Sequence, residues 1–419
     1  MQELQIFIPQ TMNNLIFNSI LILFAMLYLN LILFTMLYLS LNNEAFGQVA
    51  KIPFEFYQNR YVLINLRVND SKDTLKFYFD TGATSTLIDS TTAINCGLKP
   101  NYEQNVSGAG GSKTYKIALS QTIVISDKVK IANTHIILDN LSRLQKSLGK
   151  KFDGIIGYSI LKDYKTRIDF DNKVIELYSF DADIDTNGYE TLDFVFAKNI
   201  PIPQFPISIE LKNGKQFSDT ILFDSGAGLS LLVNTPYKIK NKLIDIVGKS
   251  ITRKSENLSS ESLLQEATIK SLQIGKFKFG EMPITFSSDQ LGVSSYEGYL
   301  GILGNEIISR FNFISDYQNK KLYLKPGLRY KNDFEFEVSG VRLELDNRTV
   351  IVSSIIRESE AYLKGLRENH IIISINDITT TDIEVYRQLL KKEGGKVKIK
   401  FSTQGGAIKE ISITLKRII

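Results

Sequence analysis

The chain repeats itself, and the repeat constrains its fold more than any other feature. Phe79-Asp80-Thr81-Gly82-Ala83 returns as Phe223-Asp224-Ser225-Gly226-Ala227. Bulky apolar residues lead into each copy (Phe77-Tyr78 and Ile221-Leu222), and aliphatics follow (Leu87-Ile88 and Leu231-Leu232). A single Asp-Thr-Gly reads equally well as a turn after a strand, whereas two copies in matching contexts do not. Downstream lie Gly154-Ile155-Ile156-Gly157 and Gly301-Ile302-Leu303-Gly304, placing the last glycine 77 residues after Asp80 and 80 after Asp224. Beyond those glycines the same residue classes recur: Tyr164 with Phe311, Asp169 with Asp316, Asn172 with Asn319, Lys173 with Lys320 and Leu177 with Leu324. An internal repeat sets the architecture before any local assignment does. The expectation is two homologous lobes, each contributing one Asp-Thr/Ser-Gly loop.

On these paired motifs the chain resembles the retropepsin-like and pepsin-like aspartic proteases with both lobes in one polypeptide, over roughly Pro53 to Pro326. Ala83 and Ala227 resemble the retropepsin pattern more than the pepsin one. The chain also resembles the aspartyl proteases with a C-terminal PDZ-like domain found in bacterial genomes. The resemblance implies Asp80 and Asp224 as the catalytic pair. Thr81 and Ser225 would lock the loops together by hydroxyl-to-backbone bonds, and Gly82 and Gly226 would leave room for close approach. Like charges ~3 Å apart cannot both ionise, so such a pair titrates in two steps, as aspartic-protease dyads do. One carboxylate then activates a water while the other, protonated, polarises the scissile carbonyl. Neither a metal nor an organic cofactor is needed. Gly108-Ala109-Gly110-Gly111 reads either as a polar loop or as a hairpin tip, and the resemblance makes it the flap over the substrate. Glycines there let the backbone approach a peptide closely. The corresponding stretch Ile251 to Ser262 is polar and lacks glycine, so a single functional flap is expected.

Composition narrows the chemistry. Fifty basic and 45 acidic residues leave a net charge of +5, which gives no argument for nucleic acid. Cys96 is the only cysteine, so no intrachain disulfide can form. His135 and His370 are the only histidines, which rules out a His-rich metal site, and His135 sits in an apolar strand-like run. Carboxylates remain as the catalytic groups.

A length of 419 residues suggests two to four domains. Residues 1–48 contain a nearly unbroken apolar run from Leu15 to Leu41, with Leu21–Asn30 repeated as Leu31–Ser40. Its 27 residues exceed the ~20 a membrane-spanning helix needs. Ala45-Phe46-Gly47 would suit a signal peptidase, although no Lys or Arg precedes Lys51. A signal peptide and a membrane anchor both fit, and either puts the remainder in the periplasm, in the cell envelope or at a membrane. Residues 49–182 form the expected first lobe, opening with alternation at Ile64, Leu66 and Val68. Acidic Tyr178–Asn187 reads as a linker. Residues 183–327 form the second lobe, with a hairpin signal at Asn213-Gly214. Short strands between turn residues make both lobes β, with Gly154–Gly157 read as a turn.

The repeat ends after Pro326. Residues 328–419 resemble a PDZ-like α+β domain, with strands at Val350–Ile356 and Ile371–Asn376. Asn369-His370 and Asp377 depart from the usual pattern there. Ser339-Gly340-Val341 is the candidate carboxylate-binding loop, whose amides could receive a peptide terminus. The fold class is therefore mainly β: two acid-protease-like β-barrel lobes, a PDZ-like module and an N-terminal apolar helix. The expected function is an aspartic endopeptidase acting on peptide or protein substrates. The alternative is a catalytically silent, protease-derived peptide-binding protein of the cell envelope.

Overall fold

The computed structural model describes Met26, Leu29, Asn30 and residues 47–108, 111–196, 200–256 and 261–419. Among these residues the strands form three sheets, of thirteen, nine and five strands. The fold is mainly β.

Two of the sheets repeat one pattern. In the first, Leu75–Phe79 runs parallel to Gly154–Ile156, which is antiparallel to Thr86–Asp89, itself parallel to Lys130–Asp139. In the second, Gln216–Phe223 runs parallel to Gly301–Leu303, which is antiparallel to Leu231–Val233, itself parallel to Met282–Ser287. The Gly-x-x-Gly segments begin as strands rather than turns, because each lies between two neighbours that satisfy its backbone. Glycine is required where they start: a side chain at Gly154 would meet the Leu87 carbonyl, and one at Gly301 the Leu232 carbonyl. The alternating residues Val62, Ile64, Leu66 and Val68 point into the main core with Phe77, Phe79, Phe223 and Phe313.

Lys165–Asp169 and Phe311–Asp316 pair antiparallel, Ile168 opposite Phe313. Each continues through a matching turn. The Asn172 amide donates to Asp169 Oδ1 (2.9 Å) and the Asn319 amide to Asp316 Oδ1 (3.0 Å). The next residues, Lys173 and Lys320, both adopt φ +54°. The return strands are Val174–Tyr178 and Lys321–Pro326, and Glu190–Asp193 pairs with the latter.

Gly108 and Gly111 close the Tyr102–Gly108/Gly111–Val124 hairpin, while Ala109 and Gly110 lie outside the described residues. The stretch without glycine also folds as a hairpin, Ile251–Glu256 with Glu261–Ile269. Its Ile251 packs on Ile356 and Ile418 of the C-terminal module.

That module is a five-stranded sheet with its own core, in the order Val341–Asp346, Thr349–Ile355, Ile371–Ile375, Lys396–Ser402 and Ile408–Thr414. Asp382 caps the helix Ile383–Leu389 by accepting from the Glu384 amide (2.9 Å). Of the apolar run Leu15–Leu41, only Met26, Leu29 and Asn30 fall among the described residues, and all three are helical and exposed. No helix among the described residues is long and apolar enough to cross a membrane.

Candidate active site

The two Asp loops meet because each leaves the end of a central strand. The Asp80 amide donates to the Ile156 carbonyl (2.9 Å) and the Asp224 amide to the Leu303 carbonyl (3.1 Å). Each loop then turns tightly, Ala83 N to Asp80 O (3.1 Å) and Ala227 N to Asp224 O (3.3 Å). Gly157 crowds the carbonyl of Asp80 and Gly304 those of Leu229 and Ala227, so a side chain at either would force the loops apart.

The loops are bolted together by hydroxyl groups. The Thr81 amide donates to Ser225 Oγ (3.0 Å), and the Ser225 amide donates to Thr81 Oγ1 (2.8 Å). The Thr81 hydroxyl donates to the Phe223 carbonyl (2.9 Å). Thr81 and Ser225 are both buried, so these bonds lie out of competition with water.

The carboxyls face one another. A side chain at Gly82 would overlap the Asp224 carboxyl, and one at Gly226 the Asp80 carboxyl. Asp80 Oδ1 accepts from the Gly82 amide (2.7 Å). Asp224 Oδ1 accepts from the amides of Gly226 (2.8 Å) and Ala227 (3.2 Å). The two side chains are near enough that each shifts the ionisation of the other. Burial, and then the Asp224 charge, push Asp80 well above the usual carboxylate range. Burial raises Asp224 too, against the opposing influence of Asp80 and of the Gly226 and Ala227 amides. Such a pair holds one proton between two oxygens over a wide pH range.

Both carboxyls lie in a crevice of about 1880 Å³. Its lining is mixed: Leu87, Ile137 and Ile155 from the first sheet and Leu222, Leu232 and Ile302 from the second share it with charged residues such as Glu266 and Lys278. Three aromatic residues that sequence reasoning passed over complete the surroundings. The Tyr78 hydroxyl donates to the Gly226 carbonyl (2.8 Å), tying the first sheet to the second loop. Tyr61 stacks edge-on against Tyr78 (5.5 Å) and lies against Gly228. Tyr317 is buried close enough for the charges of Asp80 and Asp224 to help raise its phenol. A Tyr between two Phe residues ahead of the first motif was the available signal for Tyr78. The histidines have other partners: His135 Nδ1 accepts from the Ser120 amide (3.4 Å), and His370 stacks on Phe401.

The Ser339 and Gly340 amides donate to Glu337 Oε1 (3.2 and 2.8 Å), and the Val341 amide donates to Ser339 Oγ (3.1 Å). The three amides expected to receive a peptide carboxylate therefore already have acceptors.

A comparison with curated proteins gives no match. Residues 64–160, which include the first Asp loop and its glycine strand, match the family model described as aspartyl protease. Residues 351–402 of the C-terminal module match the model described as PDZ domain. The chain thus carries an aspartyl protease domain and, at its C-terminal end, a PDZ domain.

Proposed function

We propose that the chain is a two-lobed aspartic endopeptidase built by internal duplication, with lobes over residues 49–182 and 183–327 and a PDZ domain over 328–419. The observation that carries this reading is the pair Asp80 and Asp224, each shifting the other's ionisation and held by symmetric loops in one crevice. The ionised member of the pair takes a proton from water as the oxygen attacks the peptide carbonyl. The protonated member donates to the carbonyl oxygen. Collapse of the tetrahedral intermediate returns a proton to the leaving amine and regenerates the singly protonated pair. The hairpin closed by Gly108 and Gly111 covers the bound peptide.

Cleavage of an unfolded protein substrate tests the reading. Asp80→Asn and Asp224→Asn should each remove nearly all turnover, and the double variant should cost little more, because members of one catalytic unit are non-additive. A statine-type transition-state mimic should block the parent. The rate should be bell-shaped in pH, with an acidic to near-neutral optimum. A single variant within a few-fold of the parent, or a parent that cleaves nothing, leaves the peptide-binding alternative standing.

The apolar run Leu15–Leu41 supports export or tethering of the folded chain at a membrane. Cell fractionation should find it in the envelope. Full-length, unprocessed chain in the soluble cytosol would rule this out.

A further inference from the structure

We infer that the peptide groove of the PDZ domain is plugged by the chain itself, with Glu337 at the carboxylate end and the helix Ser142–Leu148 of the protease body along the strand edge. A peptide ligand must displace both.

A groove of this kind works by adding a strand to an open sheet edge, with backbone amides taking the peptide's terminal carboxylate. Here the open edge is Val341–Asp346, the outermost strand of the five-stranded sheet. The helix Ile383–Leu389 flanks it. Both recognition features are already engaged. Glu337 puts a carboxylate oxygen on the amides of Ser339 and Gly340 and on the Ser339 hydroxyl (3.2 Å). This is the chemistry a peptide terminus would offer.

Along the edge, Arg387 from the flanking helix bridges two backbones. Its Nη2 donates to the Leu343 carbonyl of the edge strand and to the Ser147 carbonyl (3.1 Å each), and its Nη1 to the Leu148 carbonyl (3.3 Å). The C-terminal turn of Ser142–Leu148 therefore lies beside the strand, where an added strand would run. Lys146 pairs with Glu344 (3.1 Å) and Asp346 (3.2 Å) of that strand. Gly149, the left-handed C-cap of the helix (φ +71°), seats on Ile383 so closely that any side chain would collide with it. Arg387 also answers the usual need of a helix C-terminus, whose last carbonyls lack partners.

The plug reaches the catalytic crevice. The Tyr57 hydroxyl donates to the carbonyls of Leu148 (3.2 Å) and Gly149 (3.4 Å). Leu144 and Leu148 pack with Tyr78, Leu87 and Ile155 in the cluster that backs one crevice wall. Displacing the helix thus loosens that wall.

The test is a binding measurement on the full chain, so it does not depend on whether the chain cleaves peptides. Asp80→Asn,Asp224→Asn serves as the background, so that no probe is consumed. The probes are labelled decapeptides with apolar C-terminal residues, each as free acid and as amide. A closed groove reduces apparent affinity by the fraction of open molecules. Arg387→Ala combined with Lys146→Glu should therefore bind free-acid peptides at least about ten-fold more tightly than the background chain. Glu337→Ala should add a further gain confined to the free acids. If the variants bind no more tightly, or if no peptide binds a variant that melts cooperatively, the inference is wrong. Should the variants fail to fold, hydrogen exchange on the unsubstituted groove decides. Saturating free-acid peptide should speed exchange in 142–149, and unchanged exchange there overturns the plug.

Discussion

At the scale of single residues, the raised carboxyls carry a stability signature separate from turnover. Burial holds both Asp80 and Asp224 above their ordinary range, and the Asp224 charge adds to the effect on Asp80. A carboxyl with a folded pKa above its unfolded value of about 4 contributes stability that is complete below that value. The contribution is lost as pH rises through the raised pKa. Asp80→Asn and Asp224→Asn cannot ionise, so each should melt above the parent at pH 7.5, and the difference should vanish below about pH 4. Each pK unit relieved is worth about 1.4 kcal/mol. Calorimetry across that range checks it, and a gain of the same size at every pH would mean that packing, not charge, had changed. Tyr78 belongs to the same scale. Its hydroxyl is the first sheet's hold on the second Asp loop, a role hidden in a sequence where it reads as one more bulky residue before the motif.

At the scale of elements, legibility followed how much of a segment's conformation is decided by its own residues. The Asp loops could be read because acid, small hydroxyl and glycine are each needed within three positions. The Asp-x-x-Asn-Lys turns after the central strands were visible as paired residues for the same reason, each Asp closing its own turn. Gly154–Gly157 reads as a turn in sequence, yet Gly154–Ile156 is a strand, because its strand character comes from neighbours far away in sequence, Phe77 on one side and Leu87 on the other. The hairpin Ile251–Glu256/Glu261–Ile269 has no glycine to announce it, and part of its support is Ile251 packing on Ile356 and Ile418, a contact between remote segments. Ser339-Gly340-Val341 was recognisable as a loop with free-looking amides, but nothing local announced that Glu337 would turn back on it. Ala109 and Gly110, of the expected flap, and most of Leu15–Leu41 lie outside the described residues.

At the scale of the molecule, the PDZ domain is fastened to the protease body on two sides. Lys146 and Arg387 fasten it to the helix Ser142–Leu148, while Ile251 and the Arg417–Glu281 pair (3.4 Å) fasten it to the second sheet. Lys165–Asp169 pairs on one edge with Val174–Tyr178 and finds its second partner only in Phe311–Asp316, while Glu190–Asp193 pairs only with Lys321–Pro326. This sets a timetable for biosynthesis. A ribosome adding roughly 5–20 residues per second takes about 10–30 s to travel from the first of these strands to the last. During that interval the amino-terminal half carries an unpaired strand edge, the kind of surface that recruits other chains. A chain ending at Arg310 should accordingly pellet or form large assemblies under conditions where the whole chain stays dispersed, as sedimentation would reveal. A dispersed monomer that melts cooperatively would show that the early half manages without its late strands. Otherwise the newborn chain has to survive as an unfinished sheet until the strands that complete it emerge.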